Sequence, residues 1–209
     1  MVNNKVFLFG YSGHARVVCD ILLSAGYQLG GYFTEDPVDD NPYNLKYCGF
    51  ESDVEALSIL ENNLFFVAVG SNKVRKNITE FLIGNTNNHP CNAISVSALL
   101  SSKIQIGYGN MIGQTCVINS GSKIGNGVIC NTGSIIEHEC IIGNYVHIAP
   151  GAILCGNVTV GDNTFIGAGS VIREGIKIGE NVTIGAGTVV IKDVPDGQTI
   201  VGNPQRILL

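Results

Sequence analysis

The sequence predicts two domains of different construction: a small α/β domain with a doubly wound parallel sheet over residues 1–90, and a parallel β-solenoid over residues 91–209. Three observations carry this. Before residue 90, short apolar runs alternate with helical patterns. From residue 106 onward the chain divides into six-residue units without a slip. The chain holds 27 glycines in 209 residues while only 14% of it is charged, and a repeated backbone shape would account for that imbalance.

In the front third, Val6-Phe7-Leu8-Phe9 reads as a first strand. It is followed by the turn Gly10-Tyr11-Ser12-Gly13-His14 and a helical pattern through Val17, Val18, Ile21, Leu22 and Ala25. A second run, Leu29 to Phe33, ends at Thr34-Glu35-Asp36. A third, Leu64 to Val69, ends at Gly70-Ser71-Asn72 and enters a helical stretch through Val74, Ile78, Phe81 and Leu82. Strands alternating with helices imply a small Rossmann-like parallel sheet. Such sheets hold ligands beyond the carboxyl ends of their strands, here the three polar or glycine-bearing turns just named. A glycine turn opening onto a helix N-terminus can hold a phosphate through backbone N–H groups. The loop Gly10-x-x-Gly13-His14 falls short of G-x-G-x-x-G, which disfavours NAD, and plain strand-to-helix turns would look the same.

The hexads from residue 106 begin with Ile106, Ile112, Ile118, Ile124, Cys130, Ile136, Ile142, Ile148, Leu154, Val160, Ile166, Ile172, Ile178 and Ile184. Ile94, Leu100 and Val190 keep the same phase on either side. The second position is glycine in eight of the fourteen hexads, and the fifth is usually small or β-branched. A period of six is neither helical nor simple alternation; each unit needs one short strand and one tight turn, which glycine can supply. The leading side chain points inward and stacks on its equivalent one coil away. Three sides close a triangular coil of eighteen residues.

Seventeen acidic against twelve basic residues make nucleic acid an unsuitable partner, since backbone phosphates call for a basic face. No apolar stretch reaches the roughly 18 residues of a membrane helix, so no membrane insertion is expected. The opening Met1 to Gly10 has too short an apolar run for a secretory signal. Seven cysteines, odd in number and without C-x-x-C, read as reduced small hydrophobes in a cytoplasmic protein.

Four histidines are available as bases near neutral pH. His89, before Pro90 in an Asn-rich connector, reads as a loop residue, and His14 as either a substrate contact or the start of a helix. His138 stands apart, because Glu137-His138-Glu139 is a charged triplet where glycine serves in other hexads. A carboxylate beside an imidazole orients it and favours its protonated form. His147 ends the next hexad, where it could simply cap a turn. Cys140 and Cys155, with no histidine at suitable sequence proximity, read as structural rather than acyl-carrying.

The repeat resembles the hexapeptide-repeat acyltransferases, which implies a left-handed parallel β-helix, a homotrimer and active sites between neighbouring solenoids. A trimer would also cover lateral residues such as Tyr145 and Phe165. Two runs narrow the resemblance: Gly10-Tyr11-Ser12-Gly13-His14-Ala15-Arg16-Val17-Val18, and Asn131-Thr132-Gly133-Ser134-Ile135-Ile136-Glu137-His138-Glu139-Cys140. With the closing Val201-Gly202-Asn203-Pro204 they look like the bacterial sugar acetyltransferases of the bacillosamine and sialic-acid type. That resemblance implies acetyl-CoA as co-substrate, no metal, and transfer to the amino group of a UDP- or dTDP-linked 4-amino sugar. It assigns His138 as general base with Glu139 as its carboxylate partner. It assigns His147, Ala168 and Ala186 to acetyl-CoA, and Ser12, Gly13, His14, Glu35, Asp36 and Gly70 to the nucleotide sugar. O-acetylation of a sugar such as a sialic acid is the alternative, since the same base would serve. A zinc enzyme on the same solenoid would need three histidines, and only His138 and His147 lie in the repeat. A non-catalytic scaffold would not need the charged triplet or the α/β domain.

Overall fold

The computed structural model describes residues 4–208. Met1 to Asn3 of the opening segment, and Leu209 at the end of the expected second domain, lie outside the described residues. The chain divides into two compact units, Met1–Val96 and Ser97–Leu209.

The first unit runs β1 (Lys5–Phe9), α1 (Gly13–Ser24), β2 (Gln28–Phe33), α2 (Val54–Leu60), β3 (Leu64–Val67) and α3 (Asn72–Thr86). Its three strands form a parallel sheet in the order β2-β1-β3. The central strand is buried from Val6 to Phe9, which is why it reads as continuously apolar rather than alternating. Phe7 and Phe9 join Phe33, Phe65, Leu60 and Leu82 in one core cluster. Phe9 stacks on Phe33 with ring centroids 4.6 Å apart and meets Phe65 edge-on at 5.8 Å.

α3 departs from its apolar pattern. Val74 and Phe81 are exposed, whereas Arg75, Thr79 and Leu82 form the buried face. The guanidinium of Arg75 is wrapped by the preceding loop: Nη1 donates to the carbonyls of Val69 and Gly70 (both 3.0 Å) and Nη2 to Asn72 Oδ1 (3.0 Å). A buried charge is tolerable when its donors are satisfied in this way, so hydrogen bonding rather than hydrophobicity chooses the face. α2 has no counterpart in the expectations from sequence.

The second unit is a left-handed parallel β-helix. Two-residue strands recur every six residues from Leu99–Leu100 to Val189–Val190. Each pairs with its equivalent eighteen residues away, as Ile135–Ile136 does with Ile153–Leu154. Side one carries Met111–Ile112, Ile129–Cys130, His147–Ile148, Phe165–Ile166 and Thr183–Ile184. Side two carries Leu99–Leu100, Val117–Ile118, Ile135–Ile136, Ile153–Leu154, Val171–Ile172 and Val189–Val190. Side three carries Gln105–Ile106, Lys123–Ile124, Ile141–Ile142, Thr159–Val160 and Lys177–Ile178. The leading residue of each hexad is buried from Ile112 to Ile184, and so is every fifth residue from Asn110 to Thr188, giving the core two inward rows per side.

Glycine performs two tasks, and only one of them is the turn. The left-handed residue of each hexad is the fourth, for example Gly133 at φ 66°, with Thr115, Glu139, Tyr145, Asn157, Asn163 and Asn181 filling the same place elsewhere. The second-position glycines are required by close approach between coils: a Cβ on Gly167 would lie 2.6 Å from the backbone nitrogen of Ala186. Tyr145, expected on an exposed lateral face, is buried within its own chain, because its ring lies against Gly127 one coil earlier. Phe165 is 36% exposed on side one.

Candidate active site

In the first unit the carboxyl ends of the three strands lie on one edge. The N–H of Gly10 donates to Phe33 O (2.9 Å) and that of Ala68 to Phe9 O (2.7 Å), tying the ends together. Only glycine fits at Gly10, where φ is +89° and a Cβ would lie 2.6 Å from Val69 Cγ2. The chain runs from β1 to β2 on one flank and returns to β3 on the other. A topological switch point therefore lies between β1 and β3. Here Ser12, Gly13, His14 and Gly70 gather, while Glu35 and Asp36 do not. Ser12 and Gly13 are exposed where α1 begins, and the ring of His14 faces Gly70, 3.9 Å from the position a Cβ would take there. Burial, and secondarily the charge of Arg75, hold the His14 imidazole down at about 4, so it is neutral at physiological pH. Glu35 and Asp36 are exposed beyond β2 on the other flank of β1, where Tyr47 OH donates to Glu35 O (3.2 Å). They share the edge but not the His14–Gly70 turn.

Residues outside the sequence expectations shape this end. Arg16 bridges to Asp40 at 2.7 Å, and Tyr43 OH donates to Asp20 Oδ1 at 2.7 Å. Tyr11 stacks on Tyr32 with centroids 4.5 Å apart and donates to Asn41 Oδ1 at 2.9 Å. Together these tie residues 40–43 to β1 and α1. A single tyrosine or arginine carries no periodic signal; of these residues Tyr11 and Arg16 lie within the turn motif, which by itself gives them no role.

In the second unit His138 and Glu139 stand exposed at the corner between sides two and three, with His138 Nδ1 3.4 Å from Glu139 Oε2. Glu139 has φ +61°, a conformation in which glutamate is strained and which its neighbours along the repeat mostly assign to Gly or Asn. The N–H of Glu139 donates to Ser120 O (3.0 Å), fixing the turn. Glu137 accepts from Asn119 Nδ2 at 2.9 Å, one coil earlier. His147 lies on side one, half-buried, edge-on to Phe165 at 5.1 Å and 3.4 Å from Asn131 Nδ2. Ala168 and Ala186 are both exposed and one coil apart, at the corner between sides one and two. Within one chain, then, the expected base occupies one corner of side two and Ala168 and Ala186 the other, while His147 lies on side one.

Burial pushes the Cys140 thiol up to about 11, and its Sγ donates to Cys155 O at 3.2 Å. Such a thiol is a poor nucleophile at neutral pH. Among the described residues no group of three or more His, Cys, Asp or Glu is arranged to hold a metal ion, and no helix is long and apolar enough to cross a membrane.

Comparison with known proteins agrees across both units. Residues 5–82 match the PglD N-terminal domain, and residues 157–192 the bacterial transferase hexapeptide repeat. The acetyltransferase domain of PglB from Neisseria gonorrhoeae FA1090, solved with acetyl coenzyme A, is 32% identical with a TM-score of 0.91 over 99% of this chain and 100% of that one. PerB from Caulobacter crescentus, solved with CoA and GDP-perosamine, is also 32% identical, with a TM-score of 0.91 over 98% and 97%. WeeI from Acinetobacter baumannii AYE is 26% identical with a TM-score of 0.86 over 98% and 99%. An uncharacterized protein, L142, of Acanthamoeba polyphaga mimivirus is 33% identical over 112 residues, so this chain spans only 22% of that relative.

Proposed function

Because the chain belongs to the hexapeptide-repeat sugar acetyltransferases with a PglD-type N-terminal domain, we propose that it transfers the acetyl group of acetyl-CoA to the amino group of a nucleotide-linked amino sugar. The observation that carries the reading is the His138–Glu139 pair, set on a strained solenoid corner that the fold alone does not require. The similar proteins support the two substrates: the PglB domain is bound to acetyl coenzyme A, and PerB to CoA and GDP-perosamine.

In this reading the sugar amine attacks the thioester carbonyl as His138 takes its proton. The N–C bond forms, the C–S bond breaks, and the proton passes to the departing CoA thiolate. No acyl-enzyme intervenes. The diphosphate sits at the β1–β3 switch point, where the N-termini of α1 and α3 and the nearby Arg75 make the potential positive. Glu35 and Asp36 lie where an acidic group can accept from nucleoside hydroxyls. The nucleotide is uridine or thymidine diphosphate, although PerB carries the guanosine counterpart. The reaction belongs in the cytoplasm, where the seven free thiols stay reduced.

The outward residues of the solenoid support a homotrimer. Side two presents Leu99, Val117, Ile135, Ile153, Val171 and Val189 outward, an unbroken aliphatic column, while side three presents Gln105, Lys123, Ile141, Thr159 and Lys177, in which Ile141 is the single aliphatic residue. Three copies packing side two around a threefold axis would set the His138 corner of one against the Ala168–Ala186 corner of the next. That arrangement unites residues which a single chain keeps apart.

Replacing His138 by Ala should lower turnover by roughly 10²- to 10⁴-fold, the range of general-base catalysis. CoA thiol release should be measured with UDP-, dTDP- and GDP-linked 4-amino sugars and with sialic acid. Near-full activity of the variant would overturn the mechanism. A preference for the sialic acid would overturn N-acetylation, and a preference for the GDP-sugar would overturn the nucleotide.

A further inference from the structure

The third residue of each hexad varies widely, and Gly156 is the one glycine at that place among the fourteen hexads from residue 106 to 189. Nothing in the repeat calls for it. Its backbone is outside the left-handed region, so the turn does not require glycine. What lies above it is the ring of His138, one coil earlier in the same column. A Cβ on Gly156 would lie 2.5 Å from Cε1, 2.6 Å from Nε2 and 3.2 Å from Nδ1 of that ring. Contacts to all three atoms mean that the imidazole lies flat across the Gly156 backbone.

The backbones on which this rests are pinned together. The N–H of Asn157 donates to His138 O at 2.8 Å, and that of Gly175 donates to Gly156 O at 3.0 Å. The coils cannot separate to admit a methyl group, so the ring would have to move. Glu139 has a comparable seat on the other side, where a Cβ on Gly121 would lie 3.2 Å from its Cγ. The imidazole and its carboxylate partner thus rest on glycines of the following and preceding coils.

We infer that Gly156 is a positioning residue: the space left by its missing side chain holds the His138 imidazole in the orientation from which it meets the incoming amine and Glu139. The inference rests on the reading of His138 as base, and predicts that Gly156 matters only through that ring. Gly156→Ala is a clean probe, because the backbone accepts alanine and the collision falls on an exposed side chain.

The test is a double-mutant cycle of the whole enzyme with G156A, H138A and the pair, reading kcat, the KM for acetyl-CoA and the melting temperature. In the His138 background, G156A should lower kcat at least tenfold and change that KM by less than threefold. In the H138A background, where the methyl group has room, G156A should change kcat by less than twofold. Any fall in melting temperature caused by G156A should likewise vanish there. A G156A enzyme with kcat within twofold of wild type, or equal losses of kcat or melting temperature in both backgrounds, would overturn the inference. The melting data read the packing without reference to chemistry. Near-full activity of H138A alone would instead strike at the assignment of the base.

Discussion

His14 illustrates how one side chain can record its surroundings in the pH dependence of folding. Its imidazole titrates near 4 in the folded chain against 6.5 when unperturbed, mainly through burial and then through Arg75. As pH falls from 6.5, the unfolded chain takes up the proton first. The stability associated with neutral His14 is therefore present in full above about pH 6.5 and is lost as pH falls toward 4, by an amount on the order of 3 kcal/mol. His14→Asn should flatten that part of the curve. Urea midpoints at pH 7 and pH 4.5 should fall more steeply for wild type than for the variant, and parallel losses would disprove the assignment. A neutral His14 also means that the proposed diphosphate is met there by a hydrogen-bonding group, not by a second cation beside Arg75. At this scale the sequence was legible where a residue broke a pattern: Glu137-His138-Glu139 interrupts a repeat poor in charge. Arg75 was illegible, since its burial depends on carbonyls that converge only when β3 meets α3.

A single hexad, Ile166-Gly167-Ala168-Gly169-Ser170-Val171, separates the two uses of glycine at the scale of the element. Gly169 has φ +65° and open space where a Cβ would stand; Gly167 has an ordinary φ and a backbone nitrogen at 2.6 Å. Gly169→Ala should cost about 1–2 kcal/mol, the penalty of placing an L-residue in the left-handed region. Gly167→Ala has to spread two hydrogen-bonded coils and should cost about 3 kcal/mol or more. Denaturant unfolding of the two variants compares them directly, and equal losses would refute the distinction. The period of six, its phase and the inward aliphatic row were readable because a one-dimensional repeat states the same contact many times. The second task of glycine was hidden, because coil-to-coil approach is a relation between residues eighteen apart and leaves no local mark. In the front domain the strands of the sheet were readable, each being a buried apolar run. α2 is one short helix of seven residues, with too few turns to establish a period.

At the scale of the whole molecule, side two is the feature that a single chain leaves unaccounted for. Leu99 is 67% exposed at one end of its aliphatic column, and the remaining members are half-buried. The corners that bound this side are those of His138 and of Ala168 and Ala186, so burying it against neighbours would complete three sites in one step. Ile153 sits between Ile135 and Val171 within the column, and three copies would meet near the proposed threefold axis. Ile153→Asp exchanges aliphatic contact for three carboxylates held close together, whose desolvation and mutual repulsion oppose assembly. The variant should sediment as a monomer where wild type sediments as a trimer. Its turnover should fall at least 100-fold, because the base and the acetyl-CoA corner no longer meet. Binding of the nucleotide moiety, whose proposed contacts lie in the first unit, should persist within a few fold when a nucleoside diphosphate is titrated by calorimetry. A monomeric wild type, or a monomeric variant with full turnover, would show that each chain completes its own site and would remove the trimer from the mechanism.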